Sequence, residues 1–232
     1  MDSQESTAGL TDWRARSGWL AVPHSLDSLT RPHLQAHRTD RLLDPTARFE
    51  IRTPDGELVG RAVERCDRRW LRWLKYTRLR ELTPLVLHVE AADGTPAFTL
   101  QREWDWLDRK PVRALRPSGA GLLMFQRFPR RWFGLWGQRL TAPDGRVLAT
   151  LHTLQTWVFR DLHYQLRDPL GVPLADIVWS ASVWSRPRNG EIRVHRPEAL
   201  PPFGFLAALL VVGLWVARLE GYLLSSWCGV PT

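Results

Sequence analysis

The chain has 232 residues, 44% of them hydrophobic, with 32 Lys+Arg against 24 Asp+Glu and a formal net charge of +8. That length carries one large core or two small ones, and two distant cysteines, Cys66 and Cys228, with no CxxC pair argue against a disulfide framework or a zinc site and for a reducing cytoplasm. The basic balance favours anionic partners, namely nucleic acid, anionic lipid headgroups or acidic proteins, without choosing among them.

The first stretch, MDSQESTAGLTDW, is acidic and polar, so no signal peptide is read there. Residues 1–43 hold scattered apolar residues and three histidines, His24, His33 and His37, with no sustained period. They are expected to form a flexible polar arm.

From Arg48 a unit recurs of strand, turn and strand. It appears as RFEIRTPDGELVGRAVE, PLVLHVEAADGTPAFTLQRE, GQRLTAPDGRVLATLHTL and LHYQLRDPLGVPLADIVW. Asp55-Gly56, Asp93-Gly94 and Asp144-Gly145 are hairpin signals, because Gly accepts the positive φ that the turn demands. In the fourth unit Asp168 and Gly171 flank Pro169-Leu170, an approximate version of the same turn.

The strands alternate. Leu85, Leu87 and Val89 share one face, and so do Val158, Leu162, Tyr164 and Leu166. Further strands are predicted at 111–116, 119–128 and 191–195, giving ten to twelve. So many consecutive hairpins, each with one dry face, predict a mainly β fold: a closed antiparallel barrel. One segment breaks the period. DRRWLRWLKYTRLREL, 67–82, reads as a short basic amphipathic helix, with two twisted strands as the alternative.

The run Phe203–Ala217 has 15 residues without a charge. As a helix it would span roughly 22 Å, short of the ~30 Å hydrocarbon core of a bilayer. Pro201-Pro202 fits its start, and Arg218, Glu220 and Gly221 fit its end. It is apolar on every side. Burying its ten large side chains is worth about 15–30 kcal/mol at most, against a net domain stability of about 5–15 kcal/mol, so something must surround it. Either lipid does, making a tail-anchored protein with a span at 203–217, or the barrel does. A barrel of this strand number has a lumen too wide for its own side chains to fill, so the helix is expected to plug it. Gly204, Ala207, Ala208 and Gly213 would let the strands approach closely.

Together FEIRTPDGELVGRAVE, LVLHVEAADGTPAFTLQREWDW, GLLMFQR, LHYQLRDPLGVPLADIVWSASVW and the apolar helix resemble the tubby C-terminal-like superfamily, and within it the phospholipid scramblase and LURP-one-related group. The resemblance covers roughly 46–222. It implies a twelve-stranded barrel around a C-terminal helix, here as a domain over 44–224 with the helix near 202–219 and a short tail, 225–232. RPRNGEIRVHRPEAL stands where eukaryotic scramblases carry an acidic calcium loop. It offers only Glu191 and Glu198, so calcium is not expected. Lipid scrambling is not carried over.

No HExxH, GxSxG or phosphate-cradling Gly-rich loop occurs, and His88, His152, His163 and His195 fall in separate strands, so no enzyme and no cofactor are expected. Glu103, Asp105 and Asp108 in EWDWLD are read as a solvated turn balancing nearby Arg. Two basic-aromatic segments are the better candidates for function. One supplies Arg68, Arg69, Arg72, Lys75 and Arg78. The other supplies Arg127, Arg130, Arg131, Trp132 and Arg139. Arg binds phosphate bidentately and Trp settles at headgroup depth, so these residues are expected to meet an anionic membrane lipid or an acidic protein. A solvated basic face with Trp packed beneath explains the same residues. A nucleic-acid-associated role of tubby type ranks lower, because nothing points to groove geometry. The expected location is the cytoplasm, peripheral to a membrane.

Overall fold

The computed structural model describes residues 24–39, 46–66, 83–103, 110–129, 136–155, 161–180 and 189–227, with side chains left out at 24–25, 127–129, 136–137, 155 and 217–227. Twelve antiparallel strands close into a barrel. In chain order they are β1 (His33–Arg38), β2 (Arg48–Arg52), β3 (Leu58–Glu64), β4 (Leu85–Ala91), β5 (Pro96–Arg102) and β6 (Val112–Leu115). The second half follows as β7 (Gly121–Pro129), β8 (Trp136–Thr141), β9 (Val147–Gln155), β10 (Leu162–Arg167), β11 (Pro173–Trp179) and β12 (Asn189–Val194). Each strand pairs with its chain neighbours, and β1 closes the circle by pairing with both β2 and β12.

Strand alternation explains the two-sided wall. In β4 every second residue from Leu85 to Ala91 is buried, and in β10 Leu162, Tyr164 and Leu166 are. The buried set faces the lumen and the partly exposed set faces out.

The hairpin turns at one rim share one construction. The amide of Gly56, Gly94, Gly119, Gly145 and Gly171 donates to the carbonyl three residues earlier, at 2.8–3.0 Å. All five glycines have φ between 83 and 87°. This is the pattern of a type I turn closed by a left-handed glycine, the three-residue hairpin, and the register shift in each flanking strand pair is its bulge. Pro54, Pro117, Pro143 and Pro169 fit the second turn position, where φ near −65° is wanted. The two-residue Asp-Gly reading therefore found the turns but not their type. The turn at Gly119, which lacks Asp, was not anticipated.

Helix α1 (Gly204–Trp227, 24 residues) fills the lumen. The chain leaves β12 at the turn rim, passes a short 3-10 helix, Pro197–Ala199, and turns inward at Pro201–Phe203. Phe203 adopts φ 65°, a left-handed conformation that costs an L-residue about 1–2 kcal/mol. Its ring stacks on Phe98 of β5 at 5.6 Å. At about 1.5 Å per residue the helix runs ~36 Å, enough to traverse a barrel of tilted four- to nine-residue strands. Leu206 through Val212 are 0–1% exposed. The helix lies closest to β1, β11 and β12, while at its start Gly204 lies against Leu123 of β7. Strands surround it on all sides.

Trp179 fixes the depth of that helix. Its indole is buried, meets Phe49 edge-on at 6.1 Å, and is held between Gly190 of β12 and Gly213 of α1. A Cβ at either glycine would overlap the ring. The missing side chain at Gly213 also uncovers the carbonyl one turn earlier, and the Trp179 Nε1–H donates to Leu209 O at 3.3 Å.

Two expectations are corrected and one alternative is set aside. The flexible arm does not reach residue 43. A 3-10 helix, His24–Thr30, buries Leu26 and Leu29 against β3, β4 and α1, and β1 is a barrel strand, so the barrel begins at His33 rather than 44. The helix does not stop near 219 or at Gly221. It starts two residues after Pro202 and continues to Trp227, into the span assigned to a tail. The reading of 203–217 as a membrane span does not describe this fold, because the strands enclose that run. Among the described residues no helix is long and apolar enough to cross a membrane. The predicted helix at 67–82 lies outside the described residues.

Candidate anion-binding surface

An up-and-down barrel sorts its connections by rim. The five glycine turns occupy one rim. The connections β1–β2, β3–β4, β5–β6, β7–β8, β9–β10 and β11–β12 start and finish at the other. The strand ends that flank both basic-aromatic segments lie at that second rim. Arg68, Arg69, Arg72, Lys75 and Arg78 fall between Glu64, the last residue of β3, and Leu85, the first of β4. Arg130, Arg131 and Trp132 fall between Pro129 of β7 and Trp136 of β8. All eight lie outside the described residues. Arg127 and Arg139 are within strands. Arg127 pairs with Gln138, whereas Arg139 pairs with Gln126 on β7 and Thr150 on β9 and is exposed.

The wall near this rim is polar on both sides. On the lumen side Glu64, Thr83, Arg102 and Gln138 are buried. Glu64 Oε2 accepts the Ala47 amide at 2.8 Å, and Arg102 donates to the Thr83 carbonyl at 3.1 Å. The Gln138 Oε1 has no hydrogen-bond partner among the described residues. On the outer side Glu103 Oε2 accepts from Lys110 Nζ at 3.0 Å, with Arg113 at 3.8 Å from its other oxygen. The Lys110 hydrogen bond, then the charges of Lys110 and Arg113, hold the Glu103 carboxyl below its usual range. Glu103 was expected to balance Arg, and here its close partner is Lys110, with Arg113 the looser one. Asp105 and Asp108 lie outside the described residues.

Sequence reasoning missed a hydrogen-bonded ladder across the closing strands. His195 Nε2 lies 2.8 Å from Asp176 Oδ2, while the Gln165 amide donates to Asp176 Oδ1 at 2.9 Å and Arg167 Nε to the Gln165 carbonyl oxygen at 2.7 Å. On β1 and β12, Glu191 Oε1 is shared by His33 Nε2 at 2.8 Å and Arg193 Nε at 2.7 Å. Burial acts to raise both carboxyls. For Asp176 the Gln165 and His195 hydrogen bonds more than reverse this, and for Glu191 those of Arg193 and His33 do, so both sit below the usual range. Only the strand register brings these groups together. Elsewhere in the strands His88 lies 3.3 Å from the Thr99 hydroxyl, His152 2.9 Å from that of Thr150, and His37 2.8 Å from Asn189 Oδ1. Among the described residues no group of three or more His, Cys, Asp or Glu is placed to hold a metal ion.

No protein-family model matches the chain, and no curated protein does. Among solved structures it is similar to the X-ray structure of an Arabidopsis thaliana protein, at 15% identity and a TM-score of 0.44, over 78% of this chain and 90% of that one.

Proposed function

We propose that this protein is a non-enzymatic, scramblase-like and LURP-one-like barrel that attaches peripherally to anionic phospholipid surfaces through the rim opposite its glycine turns. The carrying observation is how the topology partitions the sequence. Five of the six connections of that rim contain tryptophan, at Trp70, Trp104, Trp132, Trp157 and Trp184, and both Arg clusters fall among them. The five glycine turns contain no aromatic residue. Indole side chains favour headgroup depth, and each cation near an anionic leaflet adds about 1 kcal/mol.

Vesicle co-sedimentation tests this. Binding should be strong to phosphatidylserine vesicles, weak to phosphatidylcholine, and should fall as salt rises. Arg130→Glu with Arg131→Glu should weaken it about tenfold or more without moving the melting temperature. Equal binding to neutral and anionic vesicles removes the lipid reading. Tighter, salt-dependent binding to duplex DNA would replace it with the nucleic-acid one, and capture by an acidic protein in the absence of vesicle binding would replace it with the protein one.

A further inference from the structure

On the outer wall, where β5 and β6 approach the second rim, a notch of about 170 Å³ is lined by Gln101, Glu103, Lys110, Pro111 and Arg113. Gln101 and Arg113 are paired across the β5–β6 ladder, which fixes their spacing on rigid backbone. Glu103 and Lys110 bracket the connection between the two strands. The notch therefore holds two cations and one carboxylate. That carboxylate bridges both cations, close to Lys110 and looser to Arg113.

A carboxylate bracketed by an ammonium and a guanidinium occupies the position that a bound oxyanion would take. We propose that the notch is a subsite for a phosphate monoester and that Glu103 is its built-in competitor. The chemistry favours exchange. A phosphate monoester carries about −1.5 to −2 near neutral pH and offers three acceptor oxygens, against one charge and two oxygens for Glu103. The Arg113 fork can present two parallel N–H groups to such a group, a contact that the present 3.8 Å spacing to Glu103 does not make. Lys110 adds a point charge, and the Gln101 amide adds donors at the notch wall. The displaced Glu103 side chain is more than half exposed, so it swings into solvent without burying a charge. A monoester could be a soluble phosphate ester or a lipid headgroup such as phosphatidic acid, and the lipid source alone rests on the membrane reading above.

Inorganic phosphate, titrated by calorimetry against the full chain, tests the subsite. Glu103→Gln should tighten binding about two- to fivefold, the amount that an exposed ion pair withholds. Lys110→Ala with Arg113→Ala should abolish it, while Arg146→Ala at the opposite rim should leave it unchanged. Far-UV circular dichroism and melting temperature of each variant confirm that the barrel persists. Phosphate binding that ignores both Glu103→Gln and the double variant overturns the subsite, whatever the vesicles do. A second arm compares phosphatidic acid with phosphatidylserine vesicles at matched charge. If Glu103→Gln raises binding to phosphatidic acid alone, the lipid is the source. If phosphate responds and vesicles do not, the subsite stands and its ligand is a soluble ester.

Discussion

The two rims of this barrel are made differently. At one, the chain reverses five times through the same tight turn, each closed by a glycine with φ between 83 and 87°. At the other, longer connections carry tryptophan and arginine. A short loop is enough to join antiparallel neighbours, and ordering a longer one adds an entropic cost. Connections kept longer and filled with costly aromatics point to a task outside folding. Under the proposed function, the lumen and the turn rim govern stability and the second rim governs binding.

The largest test of that division removes residues 201–232. The lumen then loses α1 and its continuous apolar core, so the chain should aggregate. A soluble truncation with a native-like β spectrum would break the comparison. Next comes the Trp179 lock. Gly213→Leu should cost about 3 kcal/mol or more by overpacking, and Trp179→Ala about 3–5 kcal/mol by leaving a cavity, both read by urea denaturation. Neither should alter the lipid preference of whatever protein remains folded.

A smaller effect is expected at the turn rim. Gly145→Ala forces a left-handed φ on an L-residue and should cost about 1–2 kcal/mol, lowering the urea midpoint without changing its slope. Vesicle binding should not change. The smallest effect is electrostatic. Asp176 and Glu191 have folded pKa values below their ordinary ones, so their contribution is present above the usual carboxylate range and is lost as pH falls through the folded values. Stability should therefore decline on the acid side, below the ordinary values of 3.8 and 4.5. Asp176→Asn with Glu191→Gln should flatten that decline, and a double variant with an unchanged acid limb would dismiss the ladder.

Much of the barrel was legible because its signals are local. An Asp-Gly step, a period of two and an uncharged run of 15 residues each declare themselves within a short window. What was missed depends on register. HLQAHR, 33–38, offers only Leu34 and Ala36 to the lumen, too weak a pattern to reveal a strand whose partners are β2 and β12. Trp179 is one residue among many in the stretch LHYQLRDPLGVPLADIVWSASVW. Its role requires Gly190 and Gly213, which no spacing rule connects. The Glu103 notch was half visible: the acidic cluster was noted and its balancing role foreseen, but Lys110 and Arg113 become its partners only once β5 and β6 are laid side by side. The basic segments were easy to find by composition, and the topology adds that their flanking strand ends share one rim.

That the plug follows all twelve strands in the chain has a consequence for biogenesis. During translation every wall segment emerges before the element that its greasy inner surface will cover, and the first strand must wait for the twelfth before the cylinder can seal. Contacts so distant along the polymer form slowly. The nascent wall should therefore depend on chaperones until α1 has left the ribosome, and a stall just before Pro201 should produce a chaperone-bound, protease-sensitive intermediate.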